Sequence, residues 1–423
     1  MDKNLYVAVV SDRIADQKKA ILRTCSGRYE GRTVLANNSE MAMRFFRRSL
    51  LRASSLMALL ILAGCTSFPR TPYSLADATS ARVLDLRELR RYADEPESSF
   101  LNEARAKFAV GGQARSYLAL SGGGADGAYG AGVLNGWTAA GTRPEFSAVS
   151  GVSTGALIAP FAFLGPAYDA TLREVYTSGI AESLVEQSNI LGVVFGSGLF
   201  GNARLRELIG RYVDQNMLAA IAVEYARGRD LYIVTTNLDS QRTVIWNMGR
   251  MAAIGSPEAL ALFRDVEAAS ASIPVAFPPV LIGAEANGHR FEEMHVDGGV
   301  TAPILTLPEA FLLRTASFRR GQRMTMYVLI NDKIEREFEV VPNGTLEIAA
   351  RASASIVKTQ LRSVLYETVA FSRRSNIGFK LTYIGREVPP SGSLEFRTSY
   401  MRALYQYGYD KAKGGAFWES APP

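Results

Sequence analysis

Two cysteines and two histidines are all that this 423-residue chain holds of the residue types that most often bridge, bind zinc or relay protons. Beyond Cys65 there is no cysteine, which excludes a disulfide framework and a cysteine-built zinc site from that part of the chain. No His/Asp/Glu cluster stands at ligand spacing, so no metal and no cofactor is expected. His289 and His295 leave few ways to build a histidine relay. Internal repeats, low-complexity tracts and apolar runs long enough to span a bilayer are also missing. The excess of one charge sign is confined to the start. Of 47 basic and 41 acidic side chains, residues 1–64 hold 11 and 5, which leaves 36 of each in the remainder. A balanced main body gives no reason to expect a nucleic-acid partner.

What is present begins with Met41 to Cys65, which reads as a lipoprotein signal peptide. Met41-Ala42-Met43-Arg44-Phe45-Phe46-Arg47-Arg48 gives a basic start and Leu56-Met57-Ala58-Leu59-Leu60-Ile61-Leu62 an apolar core. Leu62-Ala63-Gly64-Cys65 resembles the bacterial lipobox. That resemblance implies cleavage before Cys65 and lipidation of its sulfur. Several acyl chains anchor stably where one does not. The expected setting is the bacterial cell envelope, with the protein lipid-anchored to a membrane, outer or periplasm-facing. Residues 1–40 precede the signal, so translation is expected to start at Met41 or Met43, with 1–40 a doubtful extension. Residues 65–113 are expected to be a tether, in which Arg82 to Tyr92 forms a solvated helix.

The chemistry centres on Gly151-Val152-Ser153-Thr154-Gly155. The mostly apolar run Phe146 to Ser150 can end a buried strand, and Ala156-Leu157-Ile158-Ala159 can open a helix. A G-x-S-x-G at such a turn is a nucleophile elbow, which exposes the serine hydroxyl for acyl transfer. Upstream, Tyr117-Leu118-Ala119-Leu120 reads as a short strand that runs into Ser121-Gly122-Gly123-Gly124-Ala125-Asp126-Gly127. A helix follows, with Ala131, Leu134 and Trp137 on one face. Bare backbone N–H groups at such a loop suit an anion. A nucleotide phosphate formally fits, through Gly122, Gly124 and Gly127. The oxyanion of an acyl-transfer intermediate fits better, because the serine elbow arrives at once.

Far downstream, Phe291 to Val296 is expected to be a strand that delivers Asp297-Gly298-Gly299. A Ser-His-Asp order is formally available through Asp239 or Asp265 with either histidine. His289 lies in the solvated turn Ala286-Asn287-Gly288-His289-Arg290. His295 alternates onto the face of Asp297 and reads best as a half-buried strand residue. The economical alternative is a Ser-Asp pair with a carboxylate base, whose pKa partial burial would raise.

These segments, in this order, resemble the patatin-like phospholipase family, as do Ala269-Ser270-Ala271-Ser272-Ile273-Pro274 and Phe277-Pro278-Pro279. The resemblance runs from Ser116 to Gly299. It implies a three-layer α/β/α sandwich and lipid acyl hydrolysis. Ser153 resembles the nucleophile, Asp297 the base, and Gly122, Gly123 and Gly124 the oxyanion-hole glycines. Gly127, Gly151, Gly155, Gly298 and Gly299 complete the motifs. The chain departs from the family at Asp126, where Lys or Arg is usual, and a carboxylate there would oppose an anionic intermediate.

The expected architecture is therefore α/β, with an acyl hydrolase domain over 114–385 and a C-terminal segment, 386–423, packed on it. Further strands are read at Leu231–Thr236, Val244–Trp246 and Met326–Asn331. A long helix is read at Leu346–Ala370, and a closing helix at Met401–Tyr407 that Gly408 would stop. Ile190 to Gly201, apolar and glycine-rich, reads equally as an acyl-chain or membrane contact and as a buried loop. The function expected is a membrane-anchored phospholipase A-type serine hydrolase acting on membrane lipid. Its alternatives are a broad esterase or acyltransferase, a serine peptidase, and a non-catalytic lipid-binding envelope scaffold. Nothing in the sequence fixes an oligomeric state.

Overall fold

Residues 70–100, 115–184, 202–312, 324–389 and 396–423 are described by the structure, a computed structural model. The chain divides into two units, Met1–Cys65 and Thr66–Pro423, and every described residue belongs to the second. Residues 1–40, the signal peptide with Cys65, and Ile190–Gly201 lie outside the described residues.

Nine strands are described: β1 (Arg90–Tyr92), β2 (Arg115–Leu120), β3 (Ala148–Val152), β4 (Asp230–Asn237), β5 (Arg242–Asn247), β6 (Val280–Ala286), β7 (His289–Asp297), β8 (Met324–Ile330) and β9 (Gly378–Tyr383). The described helices are α1 (Leu75–Ser80), α2 (Gly127–Ala139), α3 (Thr154–Leu164), α4 (Asp169–Thr177), α5 (Asn202–Tyr212), α6 (Gln215–Ala226), α7 (Met248–Ile254), α8 (Pro257–Ser270), α9 (Glu309–Leu312), α10 (Thr345–Ser375) and α11 (Thr398–Lys413). The sheet order is β1-β5-β4-β3-β2-β8-β9, and the hairpin β6–β7 joins through β4. The centre, β4-β3-β2-β8-β9, is parallel. The β5, β1 and β7 pairings are antiparallel.

Strand alternation makes the layers. Leu118 and Leu120 of β2 bury against the face carrying Tyr129, Leu134, Phe163 and Phe263 from α2, α3 and α8. Tyr117 and Ala119 bury against the other face, with Leu361 and Leu365 of α10. Helices on both sides of this mixed sheet, parallel at its centre, give the three-layer α/β/α sandwich. In such sheets functional groups collect beyond the carboxyl ends of the strands. Here that edge carries Ser121 after β2, Ser153 after β3 and Asn331 after β8.

The read strands all form, and the long helix extends to Thr345–Ser375. The hairpin turn Asn287-Gly288 has φ of 54° and 77°, the left-handed pair that a two-residue turn needs.

Two expectations fail. Arg82–Tyr92 is not a solvated helix. Arg82 bridges to Glu285, Arg87–Leu89 is one 3-10 turn, and Arg90–Tyr92 pairs with β5. Of the charges that suggested solvent, Arg90 instead finds the carboxylate of Glu293 on β7. The expected tether is accordingly docked over residues 70–100: Arg70 and Tyr73 hold Asp239, and Tyr73 stacks on Phe291. Gly408 does not stop the closing helix either, which runs to Lys413. A Cβ there would meet Tyr129 O at 2.5 Å, so the glycine is a packing device. Gly132 and Gly136 do the same from α2, where a Cβ would lie 2.0 and 2.1 Å from the carbonyl oxygens of Tyr405 and Tyr409. The α2 and α11 backbones therefore touch.

Candidate active site

One edge of β4 brings the two motif ends together. β3 pairs with β4 up to Val152 opposite Val234, where the chain turns into α3. The vacated edge is taken by β7, running the other way, with Asp297 opposite Thr235. β3 and β7 thus meet end to end, and Ser153 and Asp297 lie at the junction. The Ser153 hydroxyl hydrogen-bonds the Asp297 carboxyl. Each residue is 5% exposed.

Ser153 has φ 55° and ψ −125°, a strained conformation for a side chain-bearing residue. Close approaches force the turn. A Cβ on Gly155 would lie 2.6 Å from both Leu120 O and Ser121 O. Gly151, Gly127 and Gly298 are enclosed in the same way by Gly155, Thr154 and Val234. Ser270, the last residue of α8, fixes the elbow. Its hydroxyl accepts from Ser153 N at 3.0 Å and donates to Val234 O at 2.6 Å. Ser270 stood in a recognised segment of the sequence, but nothing there marked its role.

Burial pushes the Asp297 carboxyl up to about 7, against the hydrogen bonds from Ser153 and Gly299 N–H. The latter measures 2.7 Å. A carboxylate with such a pKa is a far better proton acceptor than one on the surface.

Neither histidine reaches Ser153 through a free nitrogen. His295 is fully buried. Its Nε2 lies 3.2 Å from Glu293 and its Nδ1 2.9 Å from Thr235 Oγ1. Glu293 also takes a forked pair of bonds from Arg90. Burial opposes the charge on Glu293, but Arg90 and His295 outweigh it and bring the carboxyl down to about 2. Burial lowers His295 itself, so the ring is neutral, donates from Nε2 and accepts at Nδ1. His289 is exposed in its turn, 3.9 Å from Asp77. Asp239 and Asp265 pair with Arg70 and Arg206. The structure assembles no Ser-His-Asp set from these residues.

The glycine loop lies against the elbow, with a Cβ on Gly122 placed 3.1 Å from Ser153 Cβ. The N–H of Gly122 donates to Pro303 O at 3.1 Å. That N–H is therefore engaged within the fold. Among the described residues no acceptor takes the N–H of Gly123 or Gly124. Those two N–H groups, at the start of a short helical turn, are the donors available to an anion beside Ser153. No group of His, Cys, Asp or Glu that could hold a metal occurs among the described residues.

Asp126 does not stand open to the site. It is 9% exposed and accepts from Tyr400 OH of α11 at 2.7 Å. Burial pushes its carboxyl up to about 7, against that hydrogen bond. Asp332 and Glu337 add to the rise and Lys333 opposes it.

An elbow serine against a buried aspartate, flanked by a glycine loop, is the arrangement at hand, and residues 118–308 match the family model described as patatin-like phospholipase. These residues form a patatin-like domain. No match was found among curated proteins. Among solved structures the chain is similar to the one titled "Crystal structure of VipD from Legionella pneumophila". That similarity has 12% identity and a TM-score of 0.34, and covers 72% of this chain and 66% of that one. It is too slight to carry a substrate or partner across. β8, β9, α10 and α11 all lie beyond the segment that the family model matches.

Proposed function

We propose that the patatin-like domain is a serine hydrolase of lipid acyl esters with phospholipase A-type activity. The observation that carries this reading is the pairing of Ser153, at the strained elbow, with the buried Asp297. Asp297 takes the proton as Ser153 Oγ attacks the ester carbonyl. The carbonyl oxygen becomes an oxyanion facing the N–H groups of Gly123 and Gly124, aligned before the reaction begins. Collapse breaks the ester bond, and the leaving alcohol takes the proton from Asp297. Water then attacks the acyl-Ser153, with Asp297 again as base, and frees the fatty acid. Acyl release from mixed phospholipid micelles, compared between the parent chain, Ser153→Ala and Asp297→Asn, tests the reading. Unchanged release in either variant would remove that residue from the mechanism.

The envelope location rests on Met41 to Cys65. The proposal is that Cys65 is lipidated and anchors the domain to a bacterial membrane. No helix among the described residues is long and apolar enough to cross one. Mass analysis of the N-terminal peptide from membrane fractions tests the anchor. A peptide continuing upstream through Gly64 without lipid would exclude it.

A further inference from the structure

We infer that Asn331 and Tyr400, both beyond the segment matched to the family, are positioning residues that hold the glycine loop from its two ends. The inference rests on the hydrolase reading above. At the first end, Asn331 follows β8. Its N–H donates to Ser121 Oγ at 2.8 Å and its Nδ2 donates to Ser121 O at 2.9 Å. Ser121 Oγ in turn donates to Gly122 O at 2.7 Å. The carbonyl of Asn331 presses so closely on Gly123 that a Cβ there would lie 1.8 Å from it. Asn331 is fully buried, and its Oδ1 has no partner. A buried amide left half-satisfied is costly, and here the other half is spent on the loop.

At the second end, Asp126 closes the turn of Gly124–Asp126, and its N–H donates to Gly123 O at 3.1 Å. Its carboxyl takes the Tyr400 hydroxyl from α11. Helix α11 cannot slide to follow the loop, because its backbone is seated on the glycines of α2. Between these two fastenings lie Gly123 and Gly124, whose N–H groups no acceptor takes among the described residues, one residue on from the contact of Gly122 with Ser153. A loop of glycines is soft, and each donor needs a fixed direction to be worth its full effect on an oxyanion. The carboxylate at position 126 therefore serves as a fastening for the C-terminal helix.

The test uses the full chain in detergent with two variants. Tyr400→Phe removes one oxygen and keeps the ring packing, and Asn331→Ala removes the Nδ2 donor but keeps the main-chain bond. Each is assayed for hydrolysis of p-nitrophenyl butyrate, for the rate at which a fluorophosphonate labels Ser153, and for its melting temperature. The expected result is a fall in kcat of about ten-fold or more, a matching slowing of labelling, and a KM within about two-fold of the parent. The melting temperature is expected to fall by only a few degrees, since each variant removes a single buried hydrogen bond. A kcat unchanged in both variants, a rise in KM alone, or a loss that follows only the folded fraction would overturn the inference. With the parent labelled and Ser153→Ala unlabelled, such results leave the hydrolase reading standing. A parent that neither hydrolyses the ester nor takes the label overturns both.

Discussion

Ser153 and Asp297 meet because two strands that run in opposite directions share one edge of β4, one ending where the other ends. Their hydrogen bond is a consequence of sheet register, so a change at either residue leaves the junction in place. Ser153→Ala and Asp297→Asn are therefore expected to fold and to lose roughly a thousand-fold or more in kcat on an ester substrate. Steady-state hydrolysis with circular dichroism as the folding control checks this.

In the proposed mechanism the pKa of Asp297 sets the pH profile. Only ionised Asp297 can accept the serine proton, and burial places its carboxyl at about 7. Plotted against pH, kcat/KM is expected to rise through an acid limb centred near pH 7 and then level. A limb centred near pH 4 would mean that the aspartate is hydrated in the working enzyme.

The same burial weakens the fold as pH rises from acid to neutral. Folded Asp297 titrates near 7, above the ordinary aspartate value of 3.8, so between those values the folded chain holds a proton that the unfolded chain has lost. Stability therefore falls as pH rises from about 4 to about 7, by on the order of a few kcal/mol, and stays reduced above it. Asp297→Asn removes the share of that slope that Asp297 supplies and leaves the share of Asp126, which burial also pushes up to about 7. The variant is expected to melt above the parent at pH 8 and alongside it at pH 4, as read by thermal unfolding at both pH values.

Arg90 and Glu293 form a buried charged pair joined to His295, Thr235 and Trp246. Arg90→Met leaves Glu293 buried without its cation and is expected to cost about 3–5 kcal/mol. Adding Glu293→Gln should recover part of that loss. Urea unfolding of the single and double variants measures both. His295→Gln is expected to destabilise but to keep the acid limb in place, because neither ring nitrogen serves Ser153.

Gly155 gives the sharpest steric test. Gly155→Ala would drive a methyl group to 2.6 Å from two main-chain oxygens and is expected to prevent soluble folding. Gly141→Ala serves as the control, because a Cβ there meets nothing within 4 Å. Its positive φ of 69° should cost only about 1 kcal/mol. Soluble yield and melting temperature of the two variants decide it.

The sequence alone determined the features whose signals are local. The elbow, the glycine loop and Asp297-Gly298-Gly299 are each short runs in which strand, turn and helix preferences agree. The strands β2, β4 and β8 announce themselves by apolar runs of the right length, and β7 by Met294 and Val296 alternating onto one face. Tertiary structure decided what depends on partners far away in the chain. Arg90 meets Glu293 across 203 positions, which turned a charge-dense segment read as a solvated helix into an edge strand. Alternation along β7 could place the His295 ring on the face of Asp297 but could not say that Glu293 and Thr235 hold its two nitrogens. The N–H of Gly122 is taken by the carbonyl of Pro303, a contact no local pattern encodes. Asp126 read as a charge facing an anion until α11 supplied Tyr400. Local conformation follows from neighbouring residues, but hydrogen-bond direction and burial follow from whatever the fold brings alongside.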